Sequence, residues 1–433
     1  FNKVMAYNIS VTGEYGDTLG AISKLSVSVY PADLLRGRIT VTRLYIEDGC
    51  FNLVKEGPGK FNNINRIFDF APKPDSLKKP LHVPDMTVDE IILRDMRFSL
   101  RNPAADTVPK NPSCINFKNL SLSEINARIN RVRIVDDAIS CRIRDLSCTD
   151  RCGYSIRSLS GNFSLDSSES RIDNLHLTDS YSEVNAGYLA FRYDSGRDLK
   201  DFIHKIDMGA DFHSTVLDFR SIGVFAPGLN GKKLRINIEG EVNGPVCDLR
   251  TYDLSASTGN GTSVRVGAFI TGLPKIDSTF FNVNLKQVRT TSEDLSRIIS
   301  YFSADRMNTG RFFQDGELVL RGLAYGTLGS LYSIGEITYG QGRVNYEADM
   351  KGHGITPESM DLSVMADKLD IGSILSDNMF GDVSLNTRLS VTLPDKHSGQ
   401  PLSLTLDSLS FNSLGLNGTD YRDIVIAGTL ADN

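Results

Sequence analysis

The sequence of 433 residues carries 47 Lys and Arg against 53 Asp and Glu, a net charge of −6, with 40% hydrophobic and 23% charged residues. Those proportions describe a folded chain with material for more than one small core, either two or more domains or an extended array. They speak against a nucleic-acid binder built on a basic face, because the basic residues are scattered, and no run of 18 apolar residues offers a membrane-spanning helix.

Residues 1–70 read as strands around short helical turns. Leu25, Val27 and Val29 alternate, which puts them on one sheet face. Pro31 opens and Gly37 closes a short turn or helix, PADLLRG. Ile39 and Val41 alternate, then Leu44 and Ile46 continue in shifted phase, which predicts a bulge near Arg43. After a GPGK turn, NNINRIFDF predicts a short helix with Ile64, Ile67 and Phe68 on one face. The stretch 71–84, APKPDSLKKPLHVP, reads as a linker, since Pro72, Pro74 and Pro80 with Lys73, Lys78 and Lys79 resist packing. A strand pattern then recurs 47 residues on: Leu44, Ile46, Asp48, Phe51 and Leu53 return as Ile91, Leu93, Asp95, Phe98 and Leu100. Asp48 and Asp95 fall where the strand bulges or turns, and neither has a partner at a catalytic spacing. Residues 113–165 supply more short strands.

From residue 171 a larger unit recurs. At a shift of 80, Tyr252, Leu254, Val264, Val266, Ala268, Ile270 and Gly272 match Tyr332, Ile334, Val344, Tyr346, Ala348, Met350 and Gly352. At a shift of 82, Ile236, Ile238 and Gly240 match Leu318, Leu320 and Gly322. SEVNAG at 182–187 matches TSVRVG at 262–267, and DVSLNTRLSVTL at 382–393 opens a further copy. Period two places each apolar set on one face, and Gly259, Asn260 and Gly261 predict a hairpin turn. A helix start recurs at intervals of 76 as Asp218-Phe219, Asp294-Leu295 and Asp370-Ile371, each with Ile three residues further on. In the longest of these, Leu295, Ile298, Ile299 and Phe302 form an amphipathic stripe, with Thr290 as cap and Glu293 completing a capping box. DLKDFIHKI at 198–206 is a further helix candidate. Repeats of this kind build a quasi-one-dimensional body.

Reaction chemistry finds no foothold. The chain has no GxSxG, HExxH, P-loop or helix-opening GxGxxG, and Asp136 and Asp137, adjacent on a strand, point to opposite faces. The cysteines at 50, 114, 141, 148, 152 and 247 form no CxxC pair and lie far from the histidines, so no metal site is expected. They read as buried thiols, with a Cys148–Cys152 or Cys141–Cys152 disulfide left open. The expectation is a protein that is not an enzyme and carries no cofactor.

One stretch, LSVSVYPADLLRGRITVTRLYIEDGCFNLVKEGPGKFNNINRIF, is recognisable as a pattern. Its strand pair around LLRGRI, its L-x-I-x-D-G-x-F-x-L strand and the step from Gly59 to Asn62 into a helix resemble the AsmA-like superfamily. FKNLSLSEINARI, IRDLSCTDRCGYSIRSLSGNFSL and NLHLTDSYSEV continue the likeness over roughly residues 20–380, most closely to the TamB-type translocation and assembly proteins of Bacteroidota. That resemblance implies a periplasmic protein anchored in the inner membrane and reaching towards the outer membrane. It implies a β-taco-like fold, a function in moving phospholipid between the two membranes, and, in an older reading, help to outer-membrane barrel assembly with an Omp85-type partner. Both ends of the chain fall in strand-like sequence, so an internal piece is expected, with membrane contact made by parts outside it.

The predicted fold is therefore mainly β: an elongated, repetitive antiparallel sheet curled into an open apolar trough, with a few short helices. Its predicted divisions are 1–110 (an N-terminal strand and short-helix region containing the linker), 111–228 (strands including a first repeat), 229–310 and 311–380 (second and third repeats) and 381–433 (start of a fourth). Candidate lipid-facing residues are Ile236, Ile238, Val264, Val266, Ala268, Ile270, Leu318, Leu320, Val344, Tyr346, Ala348 and Met350. A repeat adhesin or glycan binder, or a sandwich with two closed layers, is the contrasting reading; polar and glycine-filled loops and the absence of Trp weigh against a sugar-stacking surface. The repeat spacing sets a first expectation. Small-angle scattering should give a radius of gyration well above the roughly 22 Å of a compact chain of this length, and a value near that figure removes the single-sheet trough.

Overall fold

A computed structural model describes residues 3–12, 18–34, 40–55, 86–103, 112–135, 138–195, 198–226, 229–302, 316–354, 356–375, 377, 379–393 and 403–431. The chain is mainly β, and it divides into two units, Phe1–Arg197 with Ala210–Arg235, and Asp198–Gly209 with Ile236–Asn433. The predicted linker at 71–84 and the predicted helix before it lie outside the described residues.

The first unit holds β1 (Lys3–Thr12), β2 (Thr18–Val29), β3 (Val41–Val54), β4 (Met86–Arg101), β5 (Ser121–Val135), β6 (Ala138–Asp150), β7 (Ser155–Leu165), β8 (Glu169–Asp179), β9 (Glu183–Arg192) and, from Ala210 onward, β10 (Asp207–Asp218). From β1 to β9 each strand pairs with the next, and the pairs are antiparallel except one. β3 and β4 run parallel, and every register partner is 47 residues away, from Val41 opposite Val88 to Val54 opposite Arg101. The short sequence recurrence is thus a pair of neighbours laid side by side in register. It is a local departure from the antiparallel expectation, since two copies of one strand pattern can align all their like residues only if they point the same way. The bulge expected near Arg43 is present, as a register shift that sets Ser28 opposite Arg43 and Val29 opposite Val41.

In the second unit, β11 (Arg235–Gly244), β12 (Asp248–Ser257), β13 (Ser263–Thr271), β14 (Phe280–Thr291), β15 (Glu317–Gly326), β16 (Leu331–Tyr339), β17 (Gly342–His353), β18 (Thr356–Asp370), β19 (Phe380–Thr392) and β20 (Ser403–Leu416) pair antiparallel in succession. β21 (Thr419–Tyr421) and β22 (Ile424–Ala431) both pair with β20. The sheet is open and curled rather than closed on itself.

Curling has a local cause. In the first unit Asn8, Asp48 and Asp95 have φ of 54°, 49° and 49°, the left-handed region. Asn8 and Asp48 both lie opposite Ser23, whose hydroxyl donates to Asp48 Oδ2 at 2.8 Å, and Asp48 lies opposite Asp95. The three kinks, on β1, β3 and β4, therefore line up with Ser23 of β2 between the first two, and each left-handed residue bends its strand locally. In the second unit Gly322 faces Gly335. A Cβ on either would stand 2.4 Å from the facing strand's carbonyl oxygen, at Ile334 and Arg321 respectively, so only glycine permits that approach.

The three predicted helix starts all sit directly after a strand, at Phe219–Gly223, Ser292–Phe302 and Ile371–Leu375. Asp218 is the N-cap of the first and accepts from Arg220 N at 2.9 Å, while Asp370 accepts from Ser373 N at 2.9 Å. At Asp218, burial alone would raise the carboxyl pKa, but the hydrogen bonds and charge of Arg220 outweigh it and hold the pKa low. The middle helix begins one residue later than the expected cap implied. β14 runs through Thr291, the helix begins at Ser292, and Thr291 Oγ1 accepts from Asp294 N at 3.3 Å, so Asp294 rather than Glu293 takes the third helical position. Asp294 is 1% exposed and accepts from Thr258 Oγ1 at 2.6 Å and from Arg297. Asp294→Ala would leave the Thr258 hydroxyl and the Arg297 guanidinium without this acceptor at a buried corner, at a cost of about 1–3 kcal/mol. Thermal melting should fall accordingly, and an unchanged melting point would show that the corner does not hold the helix.

Candidate functional site

The second unit presents one face that is apolar from strand to strand. Directly opposed residues share a sheet face, so register pairs can be followed across it. One row runs Ile238, Ala256, Val264, Val288, Leu320, Ile337, Val344, Ala366, Leu385, Phe411, Ile424. A second joins Val266 through Leu285, Gly322 and Gly335 to Tyr346, Val364, Thr387 and Leu409. A third carries Ala268, Val283, Ala324, Ser333 and Ala348 on to Leu362, and a fourth carries Ile270, Phe281, Gly326, Leu331 and Met350 on to Met360. Ile236 stands two residues before Ile238, and Leu318 two before Leu320, on the same face. All twelve residues singled out in the sequence are therefore brought to one side of one sheet.

Their exposure defines what kind of side it is. Of the twelve, Ala268 alone is buried, at 7%, and the other eleven are half-buried. A sealed two-layer core would bury the large ones among them. The opposite face of the same strands is wetter for the same residue types: Leu323 and Ile334, neighbours across β15 and β16, are 49% and 41% exposed, while Leu320 and Ile337 on the apolar side are half-buried. With like residues in like strands, that difference marks the apolar side as the sheltered, concave one.

Charge is segregated as strictly. No charged residue occupies the four rows among the described residues. On the other face Asp253 receives Arg265 Nε at 2.7 Å and Lys286 Nζ at 3.0 Å, and these hydrogen bonds hold its carboxyl well below the usual range. Glu336 sits between Arg321 and Arg343, and Lys351 bridges Asp349 and Asp361. The few polar atoms within the rows are mostly committed. Tyr346 Oη lies 3.1 Å from Ser333 Oγ, which donates to Leu323 O, and Thr387 Oγ1 donates to Ser408 O at 3.0 Å. Thr251 Oγ1, opposite Ala268, is buried without a partner.

Two features of the face escape the sequence pattern. Leu254 and Ile334 match at a shift of 80, yet Leu254 opposes Val266 on the apolar side and Ile334 opposes Leu323 on the other. The cause is a one-residue bulge in β12 between Thr251 and Leu254, which β16 lacks. The first unit has a similar face, with Leu25, Ile46, Leu93, Ala127 and Leu146 in one row and Val27, Leu44, Ile91, Ile129 and Ile143 in the next. Their period-two alternation was readable, but without the register nothing tied one strand to another.

Elsewhere the first unit packs polar groups at its corner. Tyr154 Oη donates to Asp179 Oδ2 at 2.9 Å and Ser221 Oγ to Asp179 Oδ1 at 2.9 Å, and burial beside that carboxylate pushes the Tyr154 phenol up. Glu90, nearly buried, is gripped by Arg43 at 2.7 Å and Arg128 at 2.7 Å beside a hollow of 380 Å³. Both guanidiniums are thereby engaged. All six cysteines are free thiols and half-buried rather than fully buried, and burial raises the pKa of Cys141, Cys148 and Cys152. No group of three or more metal-ligating side chains occurs among the described residues, and no helix among them is long and apolar enough to cross a membrane. Compared with protein-family models, curated proteins and solved structures, the chain matches none of them.

Proposed function

We propose that this protein carries phospholipid by its acyl chains on the concave apolar face, as part of lipid movement between the inner and outer membranes of a Gram-negative envelope. The observation that supports this reading best is the four-row face: apolar residues in register across successive strands, half-buried, without a charged side chain. A face of that kind is a standing cost in water, and apolar chains laid on it remove the cost at about 25 cal/mol for each Å² covered. The reading also fits the resemblance to AsmA-like proteins noted from the sequence, with a periplasmic location, an inner-membrane anchor and an Omp85-type partner as its further expectations.

Charge placed on the face tests the proposal. Val266 is half-buried in the second row, and Leu323 is exposed on the other side of the same sheet. Val266→Glu should melt close to the parent, because a carboxylate on an open face can reach water, and it should lose uptake of a fluorescent phospholipid. Leu323→Glu should leave both unchanged. A Val266→Glu protein that melts normally and still takes up lipid as the parent does refutes the assignment of this face. A Val266→Glu protein that cannot fold, beside a Leu323→Glu protein that can, points to closed packing instead.

A further inference from the structure

Along the strands the apolar face is bounded by small or polar residues on β13, β14 and β17, while on β15, β16 and β19 it runs one position further, to Leu318, Tyr339 and Val383. On β13 the run is Val264, Val266, Ala268 and Ile270, and the residues two steps beyond it are Thr262 and Gly272. On β17 the run from Val344 to Met350 lies between Gly342 and Gly352. On β14 the run from Phe281 to Val288 ends at Thr279 and Thr290, 0% and 4% exposed. Thr279 Oγ1 donates to Lys275 O at 2.8 Å, and Thr290 Oγ1 lies 2.7 Å from Thr262 Oγ1, so polar groups that are already satisfied close the run at both ends. Across the strands there is no such limit, since apolar residues follow one another from β11 to β22 in the first row.

Dimensions follow from strand geometry. The four alternate positions on β13, β14 and β17 span six residue steps, or about 20 Å at roughly 3.3 Å a step, and the fifth position on β15 and β19 extends this to about 26 Å. One acyl chain occupies half the hydrocarbon core of a bilayer, about 15 Å. The match is along the strands. A phosphate-bearing headgroup, in contrast, has no place within the rows: it would meet no cation there, and the polar atoms present are bonded to one another or, at Thr251, out of reach. Left inside, it would lose its hydration without compensation.

We propose that bound acyl chains lie along the strands, from one end of the apolar run to the other, with the headgroup beyond the run, so that the face selects acyl chains of ordinary membrane length. This rests on the lipid-carrying reading of the same face. The alternative arrangement, chains lying across the strands along a row, would place no limit on chain length.

Displacement of a fluorescent fatty acid by single-chain lysophosphatidylcholines of about 8 to about 22 carbons separates the two. Affinity should rise about fourfold per added methylene and level off at about 16 to 18 carbons, when the chain has filled the run. Met350 and Met360 are register partners at one end of neighbouring runs. Met350→Asn together with Met360→Asn should move the plateau to shorter chains and leave affinity for the shortest chains unchanged. If that variant does not fold, the parent's length series alone decides. Affinity that keeps rising to the longest chains overturns the arrangement while leaving the lipid-carrying reading in place. Absence of binding at every length overturns both.

Discussion

A single sheet has two faces and, without a second layer, only one way to shelter an apolar one: it must bend. That constraint accounts for much of the second unit. Its four apolar rows lack a charged residue, its other face carries the ion pairs of Asp253, Glu336 and Lys351, and the same residue types are less exposed on the first side than on the second. A flat sheet would treat the two sides alike. Twist alone makes a propeller rather than a trough, so the bend needs residues that permit it.

Gly322 and Gly335 face each other with no room for a Cβ, and Tyr346 Oη would stand 3.0 Å from a Cβ on Gly335. The phenol oxygen thus lies beside Gly335, on the neighbouring strand, where there is no side chain. The next row is mostly small, with Ala268, Ala324, Ser333 and Ala348 beside Val283, while the outer rows hold Leu320, Ile337, Phe281 and Met350 along with Gly326. Small residues at the middle of the strands and large ones towards the ends are what the inside of a bend can accommodate. In the first unit the same task falls to left-handed Asn8, Asp48 and Asp95, short polar side chains that tolerate the conformation and can bond locally.

The sequence made the strands, their facing and the helix corners legible, because each rests on a local pattern. Val264 to Ile270 and Val344 to Met350 alternate without interruption, and both lie on one face as read. Asp48 and Asp95 were placed where the strand turns sharply or bulges, and both are left-handed, with a register shift of β4 against β5 at Asp95 only. What was not legible depends on register. The 47-residue recurrence showed two like strands without showing that they pair, or that the pair is parallel. Leu254 and Ile334 matched in sequence and part company in space, since one inserted residue reverses every facing beyond it. The cap of the middle helix moved from Thr290 to Thr291: Thr290 Oγ1 is engaged with Thr262 Oγ1, and it is Thr291 Oγ1 that accepts from Asp294 N.

That last shift shows how repeats diverge without losing the face. Asp218, Asp294 and Asp370 recur at one spacing, but Asp218 caps its helix while Asp294 lies a turn inside one. The extra helical residues at Ser292 and Glu293 are absorbed at the strand end, and β14 carries its own register shift between Leu285 and Val288. Without that shift, Val288 would fall out of phase with Leu285 and turn away from Val264 and Leu320. With it, the first row passes through Val288 unbroken. Bulges in β12 and β14 are therefore not lapses in a regular sheet: they restore the phase that differing strand lengths would lose, and the continuity of the apolar rows depends on them.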